Sequence, residues 1–194
     1  RDTFMRLIRR ETEHARNHEP ARIVAKMNSL CDKEIIAALY EASAAGVEID
    51  LIIRGICCLK TGIPGVSETI HVRSIVGNFL EHARIFYFRN GGNEEFYMGS
   101  ADWMPRNLDK RVEIMFPVED PVLREKVRHI LQVQLDDNVK AHILQPSGVY
   151  EKIDKRGKVL VNAQETFCEE AIVAAKTQAE TVSSRVFIPL ESEE

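Results

Sequence analysis

Long apolar stretches are missing from this sequence of 194 residues. No run approaches the roughly 18 residues that a membrane-spanning helix needs, so we expect no transmembrane segment. The opening residues, RDTFMRLIRR, also lack an apolar core long enough for a signal peptide. The first residue is Arg1 rather than Met, and we therefore expect a fragment of a larger protein that holds only part of an active site.

Cysteine is scarce, and the common catalytic motifs are absent. The cysteines are too few for a disulfide framework in a chain of this length, and none has the CxxC spacing that is typical of zinc sites. We interpret them as reduced thiols of a cytoplasmic protein. They are Cys31, Cys57, Cys58 and Cys168. No Walker loop, GxGxxG, GxSxG or HExxH pattern occurs, so a nucleotide would have to be bound by other devices.

Charge is nearly balanced overall, with a net value of −4, but it is unevenly distributed. Residues 161–194 hold seven carboxylates against two basic side chains, whereas residues 51–90 hold five basic side chains against two glutamates. The middle of the chain is therefore basic enough to meet an anion. The bulk basicity of nucleic-acid-binding proteins is absent, and we expect no nucleic-acid partner.

The first part of the sequence predicts a strand–helix–strand unit. Residues 21–27 favour a strand, Asp32 is typical of a helix N-cap, and Gly46 is typical of the residue that ends a helix. The apolar run at 47–54 indicates a strand buried on both faces. The loop over 55–68 then leaves the carboxyl end of that strand, where α/β sheets bind their ligands.

The remaining residues predict a mixed sheet with further helices, and hence an α/β fold. The predicted elements are a helix over 1–18, a hairpin of strands 83–89 and 94–100, a strand over 111–116 in which Val112, Ile114 and Phe116 alternate with other residues, a helix capped by Asp120, and a helix over 162–178. Residues 70–80 fit a strand or a short helix, and 146–160 fit a loop or a small hairpin. We expect three parts: a connector helix over 1–20, a core domain over 21–160, and a C-terminal helix with a frayed acidic tail over 161–194.

Polar groups beside predicted strand ends mark three candidate sites. Arg54, followed by Gly55, suits a phosphate, although an arginine paired with a nearby glutamate is equally compatible. His82 and Arg84 enter a strand on one face and would form an anion site with a proton-transfer group, or a surface histidine bound to an acid. Gly99 and the residues that follow it fit a small phosphate nest or a plain turn.

Other residues carry weaker signals. His14 and His18 have the i, i+4 spacing of a metal pair but lie on a charged helix, where solvated histidines are more common, and we expect no metal site. Trp103 is the only tryptophan, and core or interface packing is the better interpretation of it.

The order of these motifs resembles the phospholipase D signature, HxK followed by GSxN. His82-x-Arg84 precedes a hairpin, and the segment GSAD at 99–102 follows it. Three departures are present: Arg84 replaces lysine, Asp102 replaces asparagine, and Arg89 occupies the place of an aspartate.

Longer segments resemble the last domain of bacterial polyphosphate kinase. They lie at 23–70, 74–88 and 98–118 and include LIIRGICCLKTGIPGVSETI, SIVGNFLEHARIFYF and MGSADWMPRNLDKRVEIMFPV. The resemblance covers about residues 1–160. It implies a phospholipase-D-like domain, the second of two, in an enzyme that reversibly transfers the ATP γ-phosphate to polyphosphate through a phosphohistidine of the preceding domain.

The resemblance also implies residue roles. The family's second essential histidine falls on His82, and its nucleotide-contacting arginine falls on Arg54. Arg84 and Arg111 would add positive potential, and Glu113 would orient His82 or an arginine. Further candidates are Ser100, Arg106 and Asn107.

The expected partners follow from the same resemblance. They are ATP or ADP, polyphosphate, and the preceding domain of the same chain, in an enzyme that forms a homo-oligomer. Mg²⁺ is expected with ATP, although no carboxylate cluster in the sequence resembles a Mg²⁺ cage. Any membrane association of the full enzyme would be peripheral.

Two other functions stay open at this point. One is a phosphodiesterase of the phospholipase D superfamily, in which two HxK halves meet in a homodimer. Arg84 and Arg89 argue against it. The other is a noncatalytic module that binds polyanions or mediates oligomerisation, whose binding would be sensitive to salt.

Overall fold

The computed structural model describes the backbone of residues 1–183 and the side chains of residues 1–177. The strands are β1 (Arg22–Met27), β2 (Glu48–Ile53), β3 (Ile70–Ile75), β4 (Ile85–Phe88), β5 (Glu95–Gly99), β6 (Met115–Pro117), β7 (Ala141–Leu144) and β8 (Tyr150–Lys152). The helices are α1 (Asp2–Arg16), α2 (Lys33–Ala44), α3 (Pro105–Lys110), α4 (Pro121–Asp136) and α5 (Ala163–Ser183). The predicted fraying of the acidic end concerns residues that lie outside this range.

One sheet contains all eight strands, in the order β6-β5-β4-β1-β2-β3-β7-β8. The central strands β1, β2 and β3 are parallel. β4, β5 and β6 extend the sheet on one side with antiparallel pairing, and β7 and β8 extend it on the other. The predicted fold class, an α/β domain with a mixed sheet flanked by helices, is confirmed.

Local sequence signals account for both ends of α2 and for the start of α4. The carboxylate of Asp32 accepts hydrogen bonds from the N–H groups of Glu34 and Ile35, both at 3.1 Å, as an N-cap does. Gly46 then ends the helix with a φ of +96°, a conformation that side chains with a Cβ disfavour. Asp120 caps α4 in the same way through the N–H of Leu123.

Alternation along the strands divides the core into two layers. Ile23 and Ala25 of β1 face a cluster beneath α1 and α2, and Val24 faces a second cluster beneath α4. Trp103 is fully buried in the first cluster and stacks on Phe86 with ring centroids 5.4 Å apart. Its predicted packing role is therefore confirmed.

Part of the predicted strand over 111–116 is wrong. β6 contains only Met115–Pro117, and Val112, Ile114 and Phe116 are exposed by 101%, 63% and 47%. The alternate residues Glu113 and Met115 are the partly buried ones, and Met115 packs against the first core cluster, so the apolar residues at 112, 114 and 116 lie on the outer face.

Other differences concern short or ambiguous elements. Residues 70–80 contain the strand β3 followed by coil. Residues 146–160 contain only the strand β8, which pairs with the preceding strand β7 rather than forming a hairpin within that range. The sequence did not predict β7 or α3, since both are short. α1 packs against the sheet through Phe4, Leu7 and Ile8, and the division of the chain into three parts stays a prediction. Within residues 1–183, none of the helices has the length and apolar character needed to cross a bilayer.

Candidate phosphate-binding site

The topology brings the predicted residues to one edge of the sheet. Because β1 and β2 are parallel, Asn28 and Arg54 leave the ends of these strands side by side. β4 runs antiparallel to β1, so the segment that precedes it, with His82 and Arg84, lies at the same edge. We call this region the carboxyl edge, because β1 and β2 both end there.

A continuous series of hydrogen bonds links Arg54 to His82 along the carboxyl edge. Arg54 donates from Nε and Nη2 to Oδ1 of Asn28, at 3.2 and 3.0 Å. The backbone N–H of Asn28 donates to Oδ1 of Asp102 at 2.7 Å. Asp102 in turn accepts from Nε and Nη2 of Arg84, at 3.2 and 3.1 Å. Arg84 reaches His82 with its remaining nitrogen, Nη1.

The Arg84–Asp102 pair is the buried centre of this series. Only 10% of the Arg84 side chain and 6% of the Asp102 side chain are exposed. Burial opposes ionisation of Asp102, but the hydrogen bonds from Arg84 and from the backbone of Asn28 outweigh it and lower the pKa of the carboxyl. Asp102 is therefore charged at neutral pH and holds Arg84 in one orientation.

His82 is exposed and depends on Arg84 for its position. Nη1 of Arg84 lies 2.9 Å from Nδ1 of the imidazole and also donates to the backbone carbonyl of His82 at 2.9 Å. The same nitrogen lies 3.3 Å from Nε2, so it contacts both nitrogens of the ring. The two residues precede β4 rather than lying within a strand, so the predicted shared strand face is replaced by this direct contact.

Arg54 is half-buried, and its neighbour Gly55 packs closely on the backbone of Asn28. The N–H of Gly55 donates to the carbonyl of Asn28 at 2.7 Å, and a Cβ at position 55 would lie 2.9 Å from that oxygen. The glycine therefore lets the two chains approach. The Arg54 guanidinium contacts a neutral amide and has no ion pair among the described side chains.

Three other predicted residues form a second cluster. The Ser100 hydroxyl donates to Glu113, and the amide of Asn107 donates to Oε1 of Glu113 at 2.6 Å. These two bonds, from Ser100 first and then Asn107, lower the pKa of Glu113. Arg84 is close enough to contribute electrostatically to the same shift, which places the cluster beside the carboxyl edge.

Gly99 and Ser100 do not form the predicted phosphate nest, because their hydrogen-bond donors are used within the protein. The N–H of Gly99 donates to the carbonyl of Arg84, and the N–H of Ser100 donates to the carbonyl of Ile114. The Ser100 hydroxyl is directed to Glu113. Strand pairing and the neighbouring acid therefore use the donors that a phosphate would need.

The two remaining predicted arginines are exposed. Arg111 influences Glu113 electrostatically but makes no hydrogen bond to it. Arg106 lies near Cys31 and joins neither cluster through a hydrogen bond among the described residues. The structure thus brings Arg54, His82 and Arg84 together and leaves Arg106 apart.

The sequence patterns did not identify several residues of the carboxyl edge as members of the site. Asn28 follows a strand just as Arg54 does, and Asp102 occupies a signature position, so both carried a detectable signal. Lys26 is 2% exposed and lies 3.1 Å from Glu81, and burial lowers its pKa while Glu81 offsets part of that effect. Nothing in the sequence marked Lys26 as a site residue, because it lies inside an apolar strand.

The residues of the carboxyl edge do not fit a protein-held Mg²⁺. Within the described residues, no three histidine, cysteine, aspartate or glutamate side chains are grouped as metal ligands would be. Asp102 and Glu113 are already engaged by Arg84, Ser100 and Asn107. We therefore assign no Mg²⁺ ligand to this chain.

Comparisons with known proteins give the family. The family model described as polyphosphate kinase C-terminal domain 2 matches residues 1–164. Polyphosphate kinase from Thermosynechococcus vestitus is 59% identical over 150 residues, which are 77% of this chain and 20% of that protein. Polyphosphate kinase 1 from Chlorobaculum tepidum is 53% identical over 177 residues, which are 91% of this chain and 25% of that protein.

A solved structure agrees with these relatives. The crystal structure of polyphosphate kinase from Porphyromonas gingivalis superposes with a TM-score of 0.86 and 43% identity, covering 91% of this chain and 27% of that one. The chain therefore spans about a quarter or less of the length of the relatives described here. Because the family model matches residues 1–164, the chain belongs to the polyphosphate kinase C-terminal domain 2 family.

Proposed function

We propose that this chain forms one wall of the active site of a polyphosphate kinase, which reversibly transfers the γ-phosphoryl group of ATP to polyphosphate. The observation that carries the proposal is the hydrogen-bonded series from Arg54 through Asn28, Asp102 and Arg84 to His82. It fixes a guanidinium and an imidazole at one edge of a rigid sheet.

The phosphorylated nucleophile would be a histidine of a preceding domain. In the first step, its ring nitrogen bonds to the γ-phosphorus as the bond from that phosphorus to the β–γ bridging oxygen breaks, and ADP leaves. In the second step, a terminal oxygen of polyphosphate bonds to the same phosphorus, and the N–P bond breaks. Such a reaction depends mainly on positioning and positive charge.

Arg54 would bind nucleotide phosphates. Its guanidinium is half-buried and its charge is not compensated by an acid among the described side chains, so it remains available to a phosphate oxygen. Asn28 restricts the orientation of the guanidinium without neutralising it. Mg²⁺ would arrive with the nucleotide rather than on protein carboxylates.

His82 would contact the transferring phosphoryl group. Its ring is exposed and is oriented by Arg84, whose own charge is paired with Asp102. The imidazole can exchange a proton with the phosphoryl oxygens or, when protonated, stabilise their charge.

The test is ATP-dependent polyphosphate synthesis by a full-length polyphosphate kinase that carries this domain. We expect His82→Ala to lower turnover about 10²- to 10⁴-fold, as the loss of a proton-transfer group does. His71→Ala is the matched control, since His71 is exposed and lies at the start of β3, away from the carboxyl edge. Wild-type kinetics of His82→Ala would contradict the proposal.

The isolated chain provides a second test. We expect no ATP-dependent synthesis from these 194 residues alone, because the nucleophilic histidine belongs to another domain. Hydrolysis of a chromogenic phosphodiester by the isolated chain, abolished in His82→Ala, would favour the phosphodiesterase function instead. Polyphosphate binding that is sensitive to salt but unaffected by Arg54→Ala or His82→Ala would favour a noncatalytic module.

A further inference from the structure

The segment that carries His82 is a loop with little apolar anchoring. It covers residues 76–84, between the end of β3 and the start of β4. Phe79 and Leu80 expose 60% and 68% of their surface, and Val76 exposes 64%. Burial of these side chains therefore cannot fix the loop, and polar contacts have to hold it.

Gln164, in the first turn of α5, supplies those contacts. Its Oε1 accepts the backbone N–H of Phe79 at 3.0 Å, and its Nε2 donates to the backbone carbonyl of the same residue at 2.8 Å. The amide side chain thus pairs with the loop backbone as a neighbouring strand would. Gln164 is itself only 6% exposed, so both bonds are shielded from water.

The same side chain also reaches the residue before His82. Nε2 of Gln164 lies 3.0 Å from Oε1 of Glu81. The other oxygen of Glu81 accepts from Lys26 at 3.1 Å and from Gln134 of α4 at 2.9 Å. Glu81 is therefore held from β1, α4 and α5 at once, directly beside His82.

The fold in turn fixes the position of Gln164. Asp137 is fully buried, and its Oδ2 accepts the N–H of Ala163 at 2.8 Å, which anchors the start of α5. Its Oδ1 accepts the N–H groups of Lys140 and Ala141 at 2.7 and 2.9 Å, at the start of β7. One carboxylate thus ties the start of α5 to the start of β7.

Gly77 indicates how closely the loop and Gln164 fit. A Cβ at position 77 would lie 2.3 Å from Oε1 of Gln164. That oxygen could move away only by giving up its bond to Phe79. The glycine therefore makes room for the amide.

We propose that Gln164 is a positioning residue for His82, and that the first turn of α5 belongs to the catalytic architecture through it. This inference rests on the proposed role of His82. Gln164 acts through the loop: it holds Phe79 and Glu81, and these residues fix the backbone from which the imidazole projects. Arg54 lines a cavity together with residues 76–80 of this loop, but its guanidinium is oriented by Asn28 and makes no hydrogen bond to Gln164.

The test compares Gln164→Met and His82→Ala in a full-length polyphosphate kinase. Methionine keeps most of the volume and removes all three hydrogen bonds. We expect kcat to fall about 10- to 100-fold, the effect of a misplaced catalytic group. The KM for ATP should change by less than about twofold, because Arg54 is untouched. Glu165→Gln, an exposed neighbour on the same helix, is the matched control and should keep wild-type kinetics.

Hydrogen exchange provides a readout that a purely global effect would not reproduce. The amide of Phe79 should exchange faster in Gln164→Met, whereas the amides of β1 keep their protection. Wild-type kcat in Gln164→Met alongside an inactive His82→Ala would overturn the positioning role alone. Wild-type activity in His82→Ala would instead overturn the proposed function.

Gly77→Ala gives an independent route to the same state, since its methyl group would displace the Gln164 amide. We expect a similar loss of kcat, and no further loss when Gly77→Ala is combined with Gln164→Ala. Additive losses would overturn the proposal. Unfolding of Gln164→Met and Gly77→Ala, detected by circular dichroism, would also count against it, because the proposal makes Gln164 a support of the loop and not of the fold.

Discussion

Arginines lie at both ends of the central strands, but their charges are compensated differently. At the end where β1 begins, which we call the amino edge, Arg22 lies 2.7 Å from Asp50 and Arg128 lies 2.7 Å from Glu94. These arginines line a cavity of about 250 Å³. At the carboxyl edge, Arg54 contacts only the neutral amide of Asn28.

The third arginine of that cavity, Arg89, lies near an acid without forming an ion pair with it. Arg89 is exposed and makes no ion pair of its own among the described side chains. Glu94 lies close enough to respond to its charge, and hydrogen bonds from Arg128 and Tyr87 help to keep the pKa of Glu94 low. A charged carboxylate thus sits inside the amino-edge cavity.

We infer that an arginine at an end of these strands can bind a phosphate only where no acid compensates its charge. The amino-edge cavity of about 250 Å³ has three arginines in its lining, whereas the cavity of about 550 Å³ beside Arg54 has one. The acids of the amino-edge cavity nevertheless compete with any anion, whereas Arg54 is oriented by a group that carries no charge. The position of an arginine after a strand cannot by itself make this distinction.

The largest expected effect is on activity. In a full-length polyphosphate kinase, Arg54→Ala should lower kcat/KM for ATP about 10³-fold, the scale on which an arginine at a transferring phosphoryl group acts. Arg22→Ala at the amino edge should change it by less than about twofold. Steady-state kinetics at several ATP concentrations measure both values. Equal losses in the two variants would show that the two edges do not differ in phosphate binding.

The next effect is on stability. Asp102→Ala should lower the free energy of unfolding of this chain by about 3 kcal/mol, because it leaves the Arg84 guanidinium buried without its partner. Asp50→Ala removes a more exposed pair and should cost at most about 1 kcal/mol. Urea denaturation at neutral pH measures the difference, and equal values for the two variants would show that the buried pair has no special weight.

A pH dependence should follow from Asp102 itself. Its pKa is lowered in the folded chain relative to an unfolded value of about 3.9, so its contribution is complete above about pH 4 and is lost as the pH falls through the folded pKa. The stability gap between the wild type and Asp102→Asn should therefore narrow only below about pH 4. A gap that stays constant down to about pH 2 would contradict the assigned role of this carboxylate.

The smallest effect belongs to the amino edge. Arg128→Ala removes a partly exposed ion pair with Glu94 and a cation–π contact in which the guanidinium lies 4.9 Å from the Phe96 ring centre. We expect a loss of about 0.5–1 kcal/mol in the free energy of unfolding. Denaturation with and without added NaCl should show that part of it is screened. A loss of unfolding free energy as large as that of Asp102→Ala would show that the ion pairs of the two edges contribute equally to stability.

Much of the fold was predictable because its signals are local. Asp32 and Gly46 delimit α2, and the apolar run of β2 indicates a buried strand whichever partners it has. The wrong prediction at Val112 and Ile114 has the opposite cause. Alternation does not say which of the two faces a neighbouring layer covers, and here the covered face belongs to Met115, whereas Val112 and Ile114 are exposed.

The residues of the candidate site also differ in whether the sequence predicts them. Arg54 and His82 carried signals in the sequence, one as the residue after a strand and the other within a recognisable motif. Asp102 and Gln164 act through partners that are 18 and 85 residues away along the chain, Arg84 and Phe79. Contacts at that separation leave no periodic trace in a single sequence.

By itself, then, the sequence determined the positions of β1, α2, β2 and α4, the absence of a long apolar run, and the residues that resemble those of a family. These properties depend on near neighbours along the chain, where hydrogen bonding and side-chain spacing act directly. Only the tertiary structure decided which arginine keeps its charge available and which glutamine holds the histidine loop. Both outcomes depend on which acids and amides the folded sheet brings within about 3 Å, the range over which a hydrogen bond forms.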